Sequence, residues 1–390
     1  MKIRYLLLHA YGMGGTIRTV FNQANAMAAA GHDVEIISAV RRRTKPQFPL
    51  DDRVRLGALV DQRKGHGPDT LVRRIRRRLR GRVVPSDEFA ARYFTERVEK
   101  AVIDAVSALD DGVLVTTRPA LNLIGARFAR RSVVHVAQEH MNLATHKPDT
   151  KRQIIRYYPR CDAVVVLTNT DRRDYTEVLP GTRVERIPNS TVLSGRQPCD
   201  PNSKIVIAAG RLYWQKGFDL LIPAFAQVAA VHPDWRLRIF GTGPKQERLQ
   251  TQIDELGMSE HIRLMGRSDT FDQELRASSI YALSSRFEGL PMVMIEAMAH
   301  CLPVVSFDCP TGPADVITHE VDGLLVPPGD VDALAQALIR AIEDPDLRKR
   351  LGAAARETVR AYTPEVVMPQ WETLFADLLA AHGSKGSTRR

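Results

Sequence analysis

Apolar residues fall in short unbroken runs along the first half of this chain: KIRYLLLH (2–9), DVEIIS (33–38), GVLVTT (112–117), SVVHVA (132–137) and DAVVVLT (162–168). Each run predicts a strand. Because the runs are continuous rather than alternating, the strands are expected to be covered on both faces, as in a parallel sheet flanked by helices. Segments between them, such as TIRTVFNQANAMAAAG (16–31), carry apolar residues at helical spacing and stop at a glycine. The rhythm breaks at IPNSTVLSGRQPCDPNS (187–203), where Pro, Asn, Ser and Gly crowd together as in a linker. It resumes with SKIVIAAG (203–210), WRLRIFG (235–241), HIRLMG (261–266), SIYALSS (279–285), LPVVSF (302–307) and GLLVPP (323–328).

Two strand–helix blocks of similar size imply an α/β chain with two doubly wound domains, residues 1–187 and 204–362, joined by a linker at 188–203. The two are expected to face one another across a cleft, with ligands beyond the carboxyl ends of the strands. The segment TPEVVMPQWETLFADLLAAH (363–382) predicts a last amphipathic helix packing back toward the first domain.

Composition narrows the class without naming it. At 390 residues, 44% hydrophobic and 26% charged, the chain has the make-up of a folded globular protein of two domains. Four cysteines (161, 199, 301 and 309) form no C-x-x-C pair, a pattern suited to free thiols in a reducing cytosol. The first apolar run soon meets His9 and a glycine turn, so it reads as a strand and not as a signal peptide. No run approaches the apolar length that crosses a bilayer. The expectation is a cytoplasmic protein. Charge is unevenly placed: residues 1–100 hold 21 Lys+Arg against 10 Asp+Glu, more than the whole chain's net +10. A basic half points to a surface for an anionic partner.

Three stretches carry candidate chemistry. In LLLHAYGMGGTIRTV, Gly12, Gly14 and Gly15 stand between a strand and a helix, where backbone can approach a ligand and a helix N-terminus favours an anion. A tight structural turn explains the same glycines equally well. In IAAGRLYWQKGFDLL, Arg211 ends a strand and Lys216 follows before Gly217; a fixed guanidinium and a mobile ammonium suit a diphosphate, or form a solvated pair of cations. In RFEGLPMVMIEAM, Glu288 precedes a Gly-Leu-Pro turn and Glu296 lies eight residues on. Proline fits the first turn of a helix, so a helix is expected to start near Pro291 and carry Glu296 on its second turn. The amides of Gly289 and Leu290 would then be free to meet hydroxyls or phosphate oxygens.

Arg211 and Lys216 followed by E-x7-E at Glu288 and Glu296 resemble glycosyltransferase family 4, the retaining GT-B enzymes. The likeness extends to the N-terminal glycine turn, IPN at 187–189, G-x-G-P at 241–244 and DGLLVPPGD at 322–330. It implies the GT-B fold, two Rossmann-like domains about a central cleft, with the acceptor held by the first and a nucleotide sugar by the second. It further implies that Arg211 and Lys216 hold the donor diphosphate and that Gly14 and Gly15 approach it from the opposing domain. Glu288, with the Gly289 and Leu290 amides, would contact the transferred sugar. Glu296 would accept from the ribose hydroxyls, and Arg267, in the loop of Met265 and Gly266, would lie by the base. His140 in HVAQEHMN matches the family's histidine beside the donor sugar; a hydrogen-bonded histidine at a strand end is the plainer alternative.

Such enzymes keep the anomeric configuration without a clear protein nucleophile. By resemblance, the diphosphate departs, the acceptor attacks on the same face, and a diphosphate oxygen takes its proton. Catalysis then rests on stabilising charge on the leaving group and an oxocarbenium-like centre. No D-x-D stands near the donor motif, so neither a metal nor a cofactor is expected, and a UDP-sugar is the favoured donor. His135, His140 and His146 with Glu139 lack the H-E-x-x-H spacing of a zinc site.

The run LVRRIRRRLRGR (71–82) spaces Leu71, Ile75 and Leu79 four apart and surrounds them with Arg73, Arg74, Arg76, Arg77, Arg78 and Arg80. It fits an interfacial helix drawn to anionic lipid or a polyanionic acceptor, with RRRTK (41–45) extending that surface. A solvated insertion fits equally. Without aromatic interleaving or a recognition motif, nucleic acid is not the expected partner. The acceptor is therefore expected to be an anionic or membrane-associated glycan or lipid, or a small natural product, with peripheral contact at the inner face of the membrane. Two other readings stay open: a non-catalytic polyanion- or membrane-binding protein, and a sugar-nucleotide epimerase on the same fold.

Overall fold

A computed structural model describes residues 1–63, 70–72, 75, 83–193 and 195–387. The arginines expected to form a membrane or acceptor surface, Arg73, Arg74, Arg76, Arg77, Arg78 and Arg80, lie outside the described residues. The chain divides into two compact units, Met1–Ser190 with Pro364–Arg390, and Thr191–Thr363.

The first unit is built on seven parallel strands: β1 (Lys2–Leu7), β2 (Asp33–Arg41), β3 (Arg55–Asp61), β4 (Val113–Thr116), β5 (Val134–Gln138), β6 (Ala163–Val166) and β7 (Val184–Arg186). Their order is β3-β2-β1-β4-β5-β6-β7. The order reverses between β1 and β4, so their connections leave on opposite sides and open a crevice beyond their carboxyl ends. Strands β4, β5 and β6 are buried at every position, as their unbroken apolar runs require. Two strands have no such run. β3 is an edge strand with one buried residue in seven, and β7 is three residues long.

The last helix, Pro364–Ser387, completes this unit. It buries Val367, Trp371, Leu374 and Phe375 in the core formed by Ile3, Tyr5, Phe21 and Val34. Trp371 and Phe375 pack with ring centroids 5.6 Å apart. Polar ties flank this seam, with His32 Nε2 2.9 Å from Glu372 and His382 Nε2 2.6 Å from Asp162.

The second unit has six parallel strands: β8 (Ile205–Ala209), β9 (Arg236–Phe240), β10 (Ile262–Gly266), β11 (Ile280–Leu283), β12 (Val304–Phe307) and β13 (Leu324–Val326). The order is β10-β9-β8-β11-β12-β13, reversing between β8 and β11. Its core is aliphatic and aromatic, with Val206, Leu221, Phe225, Ile239, Phe307 and Leu338 all buried. Two parallel-stranded Rossmann-like units give the GT-B class of α/β fold.

The helix expected near Pro291 is present, and the expectation of a separate linker needs adjustment. The helix after the Gly-Leu-Pro turn spans Met292–Ala299, and Pro291 is its N-cap with a non-helical ψ of 79°. Glu296 still falls on its second turn. The Pro- and Ser-rich stretch from Thr191 belongs to the second unit: Thr191 N donates to Tyr362 O at 2.8 Å and Cys199 N to His300 O at 2.7 Å. Backbone pairing, which composition does not reveal, fixes it to that unit.

Candidate functional site

In the second unit the loops that leave β8, β11 and β12 converge. The β8 loop ends in a 3-10 turn, Trp214–Lys216, and then Gly217, whose φ of 61° is left-handed. A Cβ there would stand 1.9 Å from Ser284 O, so only glycine lets the β8 loop lie against the β11 loop. Ser284 Oγ donates to Lys216 O at 3.0 Å, and Gln215 Nε2 to Phe287 O at 3.0 Å. These bonds deliver Lys216 Nζ to 2.6 Å from Glu288 Oε1. The same oxygen accepts from Ser285 Oγ. Glu288 is 5% exposed. A buried carboxylate is tolerable only when so paired.

The β12 loop supports this arrangement from below. Thr311 Oγ1 donates to Glu288 O, and Glu288 N to Pro310 O at 3.4 Å. Gly312, at φ 97°, has no room for a Cβ, which would meet Gly289 O at 2.4 Å. The amides of Gly289 and Leu290 donate no hydrogen bond within the described residues. Glu296 is 9% exposed, and its backbone oxygen accepts from Arg196 at 3.0 Å. Both Glu288 and Glu296 lie near Tyr281, whose phenol is pushed up by burial first and by their charges after it.

Arg211 is exposed, has no carboxylate partner among the described residues and lies 5.6 Å from the Tyr213 ring. Arg267 is also exposed, 3.8 Å from Asp269. The structure brings Lys216, Glu288 and Gly289 together, while Arg267 stays at the edge, where Gly266 O accepts from Gly241 N at 2.7 Å.

The first unit carries a cavity of about 250 Å³ beyond the carboxyl ends of β1, β4 and β5. Gly14, Gly15 and His140 all line it, with His9, Arg118 and Glu139. Gly14 is the N-cap of the helix Gly15–Ala29, whose first turn holds no acidic residue. A Cβ at Gly15 would meet nothing within 4 Å, so the approach to the helix N-terminus is open. His140 Nε2 is shielded and unpartnered. Burial, and then the charge of Arg118, push the ring down to about 4, so it is a neutral imidazole at pH 7.

Beneath it, Glu139 Oε1 accepts from Asn122 at 2.8 Å and from Tyr158. Burial pushes this carboxyl up to about 8, outweighing those bonds. His146, also about 4, stands 3.8 Å from its other oxygen. His135 is turned away to Thr116 at 2.9 Å, so the four residues do not converge. Among the described residues no three His, Cys, Asp or Glu side chains could hold a metal ion.

Arg118, His9 and Glu139 carry no motif of their own. Arg118 had a usable signal, being a cation between a strand and a Pro-initiated helix, as Arg211 is a cation at a strand end. Ser285 and Thr311 had none.

Residues 13–194 match Glycosyltransferase Family 4, and residues 191–358 match Glycosyl transferases group 1. Over 97% of its length the chain is 35% identical to an exopolysaccharide phosphotransferase of Streptomyces coelicolor, and it spans 41% of that protein. It is 26% identical, over 97% of this chain and 99% of the other, to the Campylobacter jejuni GalNAc-alpha-(1->4)-GalNAc-alpha-(1->3)-diNAcBac-PP-undecaprenol alpha-1,4-N-acetyl-D-galactosaminyltransferase. Among solved structures, the fold matches a point mutant of Staphylococcus aureus TarM in complex with fondaparinux, alpha-GlcNAc-glycerol and UDP. That match has a TM-score of 0.78 and 16% identity, covering 96% of this chain and 100% of that one. With both halves matched and the strand-end motifs in place, the chain belongs to the family 4 glycosyltransferases of GT-B fold.

Proposed function

We propose that the protein moves a sugar from a nucleotide sugar, a UDP-sugar favoured, to an acceptor hydroxyl with retention of α-configuration and without a metal or cofactor. The observation that carries this reading is the buried Lys216–Glu288 pair at the strand ends of the second unit. A cation and a carboxylate in contact suit the two halves of one donor: phosphate oxygens beside the ammonium, sugar hydroxyls beside the carboxylate. Arg211 adds a second cation, and the Gly289 and Leu290 amides add donors. Glu296 accepts from the ribose, and Arg267 lies by the base. Gly14 and Gly15 offer amides to the diphosphate. His140, neutral at pH 7, donates to or accepts from a sugar hydroxyl and adds no charge.

As the glycosidic bond to the diphosphate breaks, charge on the leaving oxygen is met by Arg211 and Lys216. The acceptor hydroxyl attacks on the face just vacated, and its proton passes to a diphosphate oxygen. The acceptor is proposed to be a cell-surface polymer or a lipid-linked glycan, as in the Campylobacter relative, or else a small natural product. Among the described residues no helix is long and apolar enough to cross a membrane. Contact with a lipid-linked acceptor is proposed to be peripheral, at the inner, cytoplasmic face.

The test is nucleoside diphosphate release from a panel of UDP-, GDP- and ADP-sugars with chelator present, then product anomer by proton NMR. Release from one donor, lost in Glu288→Ala and Lys216→Ala, supports the reading. Conversion of the donor sugar without an acceptor would favour an epimerase. Absence of both donor binding and release would favour a non-catalytic polyanion-binding protein.

A further inference from the structure

The second unit has another cavity, of about 200 Å³, on the outer flank of the β8 loop. It is lined by the exposed rings of Tyr213 and Trp214, by Lys245 and Arg248, and by Phe218, Asp219 and Leu249. None of these is in the set proposed to hold the donor. The volume, below the ~300–1,000 Å³ of pockets for drug-sized ligands, suits a single sugar ring.

The aromatic lining is exposed and yet fixed. Trp214 is 54% and Tyr213 49% exposed, in a chain whose other two tryptophans, Trp235 and Trp371, are buried. Arg286 holds the Trp214 ring from behind: its guanidinium lies 4.9 Å from the ring centroid, and its Nη1 donates to Trp214 O at 2.8 Å. The same guanidinium grips Asp219 through two 2.8 Å bonds, which offset that carboxylate's charge. Phe287 packs against the indole at 6.1 Å. Exposing a large ring to water while holding it rigid gives no folding benefit, but it pre-organises a stacking surface at low entropic cost.

The lining is also basic. Neither Lys245 nor Arg248 makes a contact ion pair among the described residues; the one carboxylate lining the cavity, Asp219, is bound by Arg286 and feels the charge of Arg248 only at longer range. Lys245 is held in place by its own amide, which donates to Leu212 O at 3.1 Å, and it caps the helix Gln246–Glu255. Aromatic rings and two cations lining one cavity are complementary to a pyranose bearing a negative charge: C–H groups meet the indole, and the anion meets the cations.

We propose that this cavity is a secondary subsite for one residue of an anionic glycan, stacked on Trp214 and Tyr213 with its carboxylate or phosphodiester on Lys245 and Arg248. It would hold an acidic polymer to the second unit independently of donor binding and of the transfer reaction.

Because Trp214 is the one exposed tryptophan, its emission reports the cavity directly. The intact chain is titrated, without any donor, with oligogalacturonate, with oligo(glycerol phosphate) and with a neutral malto-oligosaccharide of equal length. An acidic glycan is expected to shift the emission where the neutral one does not. The two acidic arms tell a uronate from a phosphodiester ligand. The double variant Lys245→Ala/Arg248→Ala, which alters half-buried and exposed side chains, should weaken the acidic glycan at least tenfold and leave UDP affinity unchanged. Trp214→Phe should keep binding, read by calorimetry, while losing the optical signal. The proposal is overturned if no acidic glycan binds. It also fails if acidic glycans bind without moving Trp214 emission and equally to the double variant, which would place them elsewhere on a basic chain. Loss of UDP affinity in the double variant would overturn it as well, assigning the cavity to the donor.

Discussion

Lys216 Nζ and Glu288 Oε1 meet at 2.6 Å although 72 residues separate them, because each sits in the loop leaving one of two neighbouring strands, β8 and β11. Both side chains are mostly buried, 19% and 6% exposed. Removing one partner of a buried pair costs on the order of 3 kcal/mol, more than removing both, since the survivor is left desolvated and short of its counter-charge. Lys216→Ala is therefore expected to destabilise the second unit more than Lys216→Ala combined with Glu288→Ala. Denaturant unfolding of the four proteins of the cycle checks this. Activity should not follow stability: all three variants should lose ~10²-fold or more in turnover if the pair serves the leaving group and sugar. Full turnover in the double variant would leave the pair with a structural role alone.

Gly217 makes that meeting possible. At φ 61° with Ser284 O standing 1.9 Å from where a Cβ would go, Gly217→Ala must push two loops apart. The expected cost exceeds the ~1 kcal/mol of an ordinary glycine replacement, because a backbone oxygen cannot rotate away as a side chain does. Donor affinity should fall with it, since Lys216 is the preceding residue. Calorimetric unfolding with UDP titration on the same sample separates the two effects. A variant of unchanged stability and affinity would show that the loops can slide.

Much of this fold was legible because its strands are buried on both faces. A run such as VLVT, buried at all four positions, cannot be read as anything but core. β3 went unread for the converse reason: RLGALVD is an edge strand whose exposed side chains need no apolar pattern. At the site, Arg211, Lys216, Glu288 and Glu296 stood out as charges set in apolar sequence. Ser285 and Thr311 did not, because a hydroxyl in a loop is ordinary until a neighbouring strand places it against a carboxylate or a carbonyl. Glu139 shows the same limit from the other side. In the sequence it stood out only as a neighbour of three histidines, and nothing there announces that burial pushes its carboxyl up to about 8.

That burial gives the first unit a pH optimum of stability. His135, His140 and His146 titrate near 4 when folded against 6.5 when unfolded. Between those values the unfolded chain binds more protons, so stability is lost as pH falls from 6.5 toward 4. Glu139 has the opposite sign: about 8 folded against 4.5 unfolded, so the folded state holds the extra proton and stability is lost as pH rises through 8. Three groups outweigh one on the acid side, and Glu139 alone acts above 6.5. Glu139→Gln, isosteric and uncharged, should flatten the alkaline limb by on the order of 1.4 kcal/mol per pH unit between 6.5 and 8 and, because Glu139 opposes the histidines from 4.5 upward, steepen the acid limb by a similar slope between 4.5 and 6.5. Unfolding midpoints at pH 5, 6.5 and 8 decide it; an unchanged alkaline limb would mean that Glu139 is ionised in the folded chain.

Thr311 is the strained element of the loops around Glu288. It holds φ at 61°, a region costly for a β-branched residue, and its hydroxyl donates to Glu288 O. Strain persists where surrounding contacts over-determine it, and here those contacts position the carboxylate proposed to meet the sugar. Thr311→Gly relieves the backbone and removes the hydroxyl, two effects of opposite sign, so stability should move by less than about 1 kcal/mol. Turnover should nevertheless fall about tenfold, because a freed loop samples positions in which Glu288 is misplaced. Thr311→Ser keeps the donor and should retain most of the activity. The comparison is decisive in donor turnover: if Gly and Ser variants perform alike, the hydroxyl does not position Glu288, and the left-handed residue at 311 serves only to turn the chain.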